Sequence, residues 1–244
     1  MSKYYGLLPA AGLATRMRPF RYPKELLPVY YEFVTDNGYM RPKLLIEHAL
    51  EALRLAGVAD LYIVVPEWKP EIMRYLDDGE QFGLNISYLY NSKALGLADA
   101  LLSGSRWLHD KITCFAMPDT VFSPATGFQD IIQKLNNENA DLVLGVFPTD
   151  EARHLAPVEF DTDGRVLNIW EKPEVPKYNN AWGIAVWNEK FWNFFESQSS
   201  TLEVGISVTD VFDKAAKGGL SVFCVYFYDG FYKDIGRINQ ISFP

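Results

Sequence analysis

The first 150 residues alternate between short apolar runs and amphipathic segments, and that alternation restricts the fold more than any other property of the chain. Tyr4 to Leu8, Leu61 to Val65, Ile86 to Tyr90, Ile112 to Met117 and Asp141 to Val146 read as strands. Between them, Lys43 to Ala56 carries Leu45, Ala49, Ala52, Leu53 and Ala56 at helical spacing and stops at Gly57. Trp68 to Leu76, Gly96 to Leu108 and Phe128 to Asn136 also read as helices. This order predicts an α/β fold: a Rossmann-like α/β/α arrangement of three layers around a mixed, mostly parallel central sheet.

From Pro157 the pattern changes. Val158 to Phe160 and Arg165 to Glu171 flank Asp161-Thr-Asp-Gly164, a hairpin turn signal. Ala181 to Trp187 and Leu220 to Tyr228 read as strands, Glu189 to about Phe195 and Val208 to Lys217 as helices. The second half is expected to add antiparallel pairs to the sheet and an inserted antiparallel lobe over its C-terminal edge. Thr35 to Pro42, polar and containing glycine, reads as a surface loop. Nothing resembling a linker divides the chain, so 1–244 is expected to be a single domain.

In an open α/β sheet, ligands bind beyond the carboxyl ends of the strands, so polar residues that follow strands are the candidates for chemistry. The first place is Pro9 to Val29. Small residues there (Ala10, Ala11, Gly12, Ala14) let a backbone approach phosphate oxygens, Thr15 and Arg16 follow, and Lys24 comes after Pro23. Neither a P-loop nor a dinucleotide fingerprint is present. Taken alone, the stretch reads equally as an ordinary strand-to-helix turn with two surface cations. The second is Asn91 to Asp99, where Gly96 opens a helix, as generic loops also do. The third is Asp119, a Mg²⁺ ligand candidate straight after a strand, or else a turn or capping residue. The fourth is Asp234 in Tyr232-Lys-Asp-Ile-Gly236, a second carboxylate that can converge on the same ion. Glu171-Lys172, at a strand end, fits a sugar hydroxyl and a phosphate, or a surface ion pair. Gly183 opens a strand where a sugar ring has room to approach.

Composition narrows the partners. A formal charge of −8 over 244 residues, with no block of Lys and Arg, argues against nucleic acid and membrane surfaces and for a small anion in a local cationic pocket. Cys114 and Cys224 lie in apolar runs and read as free buried thiols. With no signal-like N-terminus and no run of membrane-spanning length, a cytoplasmic setting is the expectation. His48, His109 and His154 fall in helix or loop and read as incidental, and no Ser-His-Asp or Cys-His set is evident.

In order along the chain, these segments resemble the sugar-1-phosphate nucleotidylyltransferase family, which holds the glucose-1-phosphate thymidylyl- and uridylyltransferases. PAAGLATRMRP…YPKELLPV resembles the signature loop, ALGLADAL the base-contacting loop and PDTVF the segment with the first metal aspartate. VEFDTDGRVLNIWEKP resembles the sugar-contacting hairpin, NAWGIAVW a sugar-lining strand, SVTDVF the I-T-D helix and YKDIG the second metal segment. The resemblance implies transfer of a nucleoside monophosphate from a triphosphate, dTTP or UTP by preference, to a sugar 1-phosphate, with release of pyrophosphate. It implies Arg16, Lys24, Asp119 and Lys172 as catalytic, and Ala10, Ala11, Gly12, Thr15, Arg16, Asn91 and Gly96 as nucleotide-binding. Ala156, Glu171, Lys172 and Gly183 would bind the sugar phosphate, and Asp119 and Asp234 would hold Mg²⁺. Residues 1–150 would serve mainly the nucleotide and 151–244 mainly the sugar, with a homo-oligomer compatible with both.

The chain also departs from the family pattern. Alanines stand for glycines at 11, 14 and 156, and Asn91 stands where the base-reading residue is often Gln. The chain stops soon after Asp234, so an allosteric site built from a helical C-terminal extension is not expected, and any oligomer is expected to be different or weaker. Two other readings stay open: a glycosyltransferase with a related nucleotide-sugar fold, and a noncatalytic regulator that binds a nucleotide sugar. The former needs a D-x-D pair after a strand, whereas Asp161-Thr-Asp163 lies in a predicted turn.

Overall fold

A computed structural model describes residues 3–12, 22–33, 39–92, 95–198 and 207–235. Seven strands form the central sheet: β1 (Tyr4–Pro9), β4 (Asp60–Val65), β5 (Asn85–Tyr90), β6 (Ile112–Ala116), β8 (Leu142–Pro148), β11 (Asn180–Trp187) and β12 (Val222–Tyr226), in the order β12-β8-β11-β6-β1-β4-β5. All neighbours run parallel except β11, which is antiparallel to both β6 and β8. This is the mixed, mostly parallel sheet expected from the sequence.

Alternating side chains of these strands feed two cores, as a pleated strand requires. On one face Leu8, Ile63, Cys114 and Val143 meet α1 (Leu45–Leu55), α2 (Pro70–Leu76) and α4 (Gly127–Asn137). On the other face Leu7, Val64, Phe115 and Leu144 meet α3 (Leu97–Leu108), α5 (Glu189–Gln198) and α6 (Val208–Lys217). The second core is aromatic: Trp187, Trp192, Phe191 and Phe212 are all fully buried. Burying one such ring contributes on the order of 2–3 kcal/mol, and mutual edge and tilted packing adds to it. Among the described residues, no helix is long and apolar enough to cross a membrane.

Three small antiparallel pairs decorate the sheet. β9 (Val158–Phe160) pairs with β10 (Val166–Ile169) around the Asp161–Gly164 turn, where the Asp161 carboxylate accepts the N–H groups of Asp163 and Arg165 at 3.0 and 2.9 Å. Both aspartates of the D-x-D sequence therefore belong to a turn on the surface. β7 (Thr120–Ser123) pairs with β13 (Phe231–Asp234), and β2 (Pro28–Phe33) with β3 (Met40–Leu44).

The last pair corrects the expectation of a loop over 35–42, since 40–42 belong to a strand. Val29 and Leu44 tie one end of this two-stranded ribbon to the cores. Cross-strand and ribbon-to-helix ion pairs hold the rest, Arg41 to Glu32 and to Glu47, and Lys43 to Glu32 and Glu51. Pro42 is tolerated because such a ribbon has free edges. The helix consequently starts at Leu45 and not at Lys43. Strand β7 was not anticipated either, and Asp234 ends a strand instead of following one.

His48 lies on α1 beneath Tyr30, ring centroids 5.3 Å apart and edge to face, with its Nε2 buried and unpartnered among the described residues. Burial, helped by the Lys43 charge, pushes its pKa down to about 4. A histidine with a lowered folded value contributes stability above its free value of 6.5 that is lost as pH falls toward 4. Melting curves between those limits are expected to show the wild type losing stability faster than His48→Leu. Parallel slopes would contradict this assignment.

Candidate active site

Beyond the carboxyl ends of the strands lies a cavity of about 330 Å³. Gly96, Asp119, Ala156, Glu171, Lys172 and Asp234 all line it. Those six were singled out from the sequence, and they come from five separate stretches of chain.

Local structure explains how each arrives there. Asp119 follows β6 and precedes β7, and the β7–β13 ladder sets Thr120 opposite Asp234. The Ile235 N–H donates to the Asp119 carbonyl at 3.1 Å, so the two acidic residues sit side by side across the ladder. Gly96 caps α3 with φ +125°, a conformation that excludes ordinary side chains, and a Cβ there would meet nothing within 4 Å. The helix therefore presents its first N–H groups toward open space.

Lys172 adopts φ +46°, a left-handed conformation seldom held by a side-chain-bearing residue. Its N–H donates to Leu155 O at 2.9 Å, and Ala156 O accepts from Trp182 N at 3.2 Å, which braces the 155–156 segment on both sides. The Lys172 ammonium pairs with Glu171 Oε1 at 2.6 Å, and its side chain is 60% exposed. An exposed pair of this kind contributes about 0–1 kcal/mol, so exchanging it for a ligand phosphate is cheap. His154, read from the sequence as incidental, also lines the cavity.

The floor beside the cavity is charged and buried. Lys24, in the 3-10 turn Lys24–Leu26, pairs with Asp119 Oδ2, and both residues are buried. Burial acts to lower the Lys24 pKa, but Asp119 with its hydrogen bond, and then Asp234, outweigh it and raise the value, so the ammonium is held charged. Asp119 Oδ1 is buried with no partner among the described residues. Tyr232 lies close to both carboxylates. Burial, then Asp234 and Asp119, push its hydroxyl well above the ordinary range, keeping it protonated.

Two residues missed in the sequence complete the floor. Lys69 donates to Ala10 O at 2.9 Å and pairs with Glu25 Oε1 at 2.6 Å. Lys69 stands just before Pro70 at a helix N-terminus, where a cation opposes the helix dipole, but nothing local points to its partner 44 positions away.

Other expected residues lie elsewhere. Ala10 and Ala11 are buried at the end of β1 and Gly12 is exposed, none of them on the cavity wall. Asn91 is buried behind the wall, its amide donating to Asp99 Oδ2 at 2.8 Å and Ser103 Oγ at 3.0 Å. Thr15 and Arg16 lie outside the described residues. Gly183 is not open to a sugar ring, because Tyr232 occupies that space and a Cβ would overlap its ring. The glycine is the extra residue where the β11–β8 register slips between Trp182 and Ile184, a bulge that admits the tyrosine.

The chain and its fold match known proteins. The family model described as nucleotidyl transferase matches residues 5–242, and the chain belongs to that family. A glucose-1-phosphate thymidylyltransferase of Xanthomonas campestris is 33% identical over 185 residues, 74% of this chain and 58% of that protein. One from Streptomyces griseus is 27% identical over 238 residues, 96% of this chain and 63% of that protein. The chain thus spans about three-fifths of the length of these curated relatives. A Bacillus anthracis structure assigned as a glucose-1-phosphate thymidylyltransferase superposes with a TM-score of 0.84 at 20% identity, covering 97% of this chain and 91% of its own. A UDP-glucose pyrophosphorylase structure superposes with a TM-score of 0.78 at 20% identity, covering 99% and 96%.

The seating of Tyr232 on Gly183 gives a direct test. Gly183→Ala overpacks this contact, at a cost of about 1–3 kcal/mol, and is expected to lower Tm by roughly 3–10 °C for a chain of this size. Shrinking the neighbour in Gly183→Ala/Tyr232→Leu should recover part of that loss. An unchanged Tm in the single variant would mean the ring does not pack there.

Proposed function

We propose that this protein transfers a nucleoside monophosphate from a nucleoside triphosphate to a sugar 1-phosphate and releases pyrophosphate. The observation that carries the reading is the juxtaposition across the β7–β13 ladder. Two carboxylates from distant parts of the chain meet beside a buried ammonium, on a cavity whose opposite wall carries Glu171 and Lys172.

In the reaction, an oxygen of the sugar phosphate forms a bond to the α-phosphorus while the α–β bridging P–O bond breaks, and the electron pair leaves with pyrophosphate. The nucleophile is already anionic near neutral pH, so no general base is required. The work left to the protein is positioning and charge neutralisation. Glu171 accepts hydrogen bonds from sugar hydroxyls, and Lys172 steers the attacking phosphate. Lys24 neutralises charge at the α-phosphate, and the N-terminus of α3 at Gly96 receives the nucleotide. Arg16 keeps the role the family resemblance gives it, on the leaving pyrophosphate. Residues 1–150 serve mainly the nucleotide and 151–244 mainly the sugar.

The unpartnered Asp119 Oδ1, next to Asp234, suits a hard divalent cation, because Mg²⁺ needs only one or two protein carboxylates with phosphates and water to complete it. When bound, Mg²⁺ would offset the negative charge of the triphosphate. A pyrimidine triphosphate, dTTP or UTP, is the favoured donor. Two buried thiols suit a reducing cytoplasm.

Pyrophosphate release should be measured across a matrix of triphosphates and sugar 1-phosphates. At least one pair is expected to turn over, with Asp119→Asn and Asp234→Asn each lowering the rate by about a hundredfold or more. Near-normal turnover in both variants would remove the metal assignment. Release of a nucleoside diphosphate from an intact nucleotide sugar would point instead to glycosyl transfer.

A further inference from the structure

Lys69 breaks two local rules. Its side chain is only 5% exposed, although burying a lysine is costly, and it sits at the N-cap of α2, where the helix dipole repels a cation. A residue placed against local preference is retained where something else requires it. Its two partners say what that is. The ammonium donates to Ala10 O, the last anchored carbonyl of the β1 terminus, at 2.9 Å, and to Glu25 Oε1, in the turn that carries Lys24, at 2.6 Å. One cation thus spans two places separated by 15 positions in sequence.

We propose that Lys69 is a positioning residue, which sets the Lys24 turn against the end of β1 and thereby fixes where the Lys24 ammonium meets the triphosphate. The inference rests on the function proposed above, and it concerns a residue that touches no substrate.

The geometry is a chain of short links. Lys24 reaches Asp119, Glu25 on the neighbouring position reaches Lys69, and Lys69 reaches the β1 terminus. The turn itself is held by few backbone bonds: Leu26 N to Pro23 O at 3.1 Å, Leu27 N to Lys24 O at 3.0 Å and Leu45 N to Leu27 O at 2.9 Å. None of these ties it to β1, whose end is bonded to β4 through Ala10 N and Val64 O at 2.8 Å. Without Lys69, the buried link from β1 to the turn is lost.

Three variants separate positioning from simple charge balance. Lys69→Met leaves Glu25 without its buried partner and Ala10 O without its donor. Glu25→Gln/Lys69→Met removes both charges together, so stability is expected to return toward wild type. Glu25→Gln alone retains the Ala10 donor. The double variant is expected to melt near the wild type yet keep a triphosphate KM raised about tenfold or more, with the KM for the sugar 1-phosphate within about twofold of wild type. Hydrogen exchange at the Leu26 and Leu27 amides should be faster in both Lys69 variants and near wild type in Glu25→Gln. A double variant with wild-type KM and wild-type exchange would overturn the proposal, as would a folded Lys69→Met with both unchanged. If the wild type releases no pyrophosphate from any substrate pair, the functional reading fails, and the exchange data alone still decide what Lys69 holds in place.

Discussion

The structure depends on keeping a group of buried charges balanced at one end of the sheet. Lys24, Glu25, Lys69 and Asp119 are each less than a tenth exposed. Removing any one ion from water costs several kcal/mol even after relaxation, and only a close partner of opposite sign offsets it. The pairing is strict: Lys24 with Asp119, Lys69 with Glu25. Burial and the nearby Asp119 raise the Glu25 pKa in spite of Lys69, so the carboxyls crowd one another. That crowding is relieved when a cation arrives and worsened when one departs.

The scaffold makes this arrangement possible because the apolar packing is complete on both faces of the sheet before the charged end begins. A core of aliphatic and phenylalanine side chains on one side and one rich in tryptophan and phenylalanine on the other pack against β1, β4 and β6. Asp119 leaves β6 directly, while the other residues on the cavity come from helix, hairpin and ladder segments around the sheet. Asp119 inherits the rigidity of β6 and passes it across the ladder to Asp234.

Much of this was legible in the sequence, for identifiable reasons. Buried parallel strands announce themselves as continuous apolar runs, and amphipathic helices by their spacing, so the three layers were readable. Asp119, Glu171, Lys172 and Gly96 were found because each follows or opens a regular element, Asp234 because it closes an aromatic run before a glycine, and Ala156 only through the family resemblance. The β2–β3 ribbon was not readable, since ion pairs hold it and ion pairs leave no periodic trace. Glu25 and Lys69 stayed hidden for a related reason: their meaning lies in a contact between positions 44 apart, which no local pattern encodes. Gly183 misled because glycine marks close approach of something, and the sequence cannot say whether that is a ligand or the protein's own tyrosine.

That last ambiguity bears on the shape of the site. Tyr232 reaches Gly183 from β13, with Asp234 two residues further along the same strand. The bulge in β11 therefore does more than tolerate a ring. By seating Tyr232 against Phe147, with centroids 5.9 Å apart, it anchors a four-residue strand whose ladder partner among the described residues is β7. A short edge strand is otherwise free to fray, and a carboxylate at its end would wander with it. The strand that places Asp234 beside Asp119 is thus seated through a missing side chain on a different strand, and the glycine bears on that site through packing.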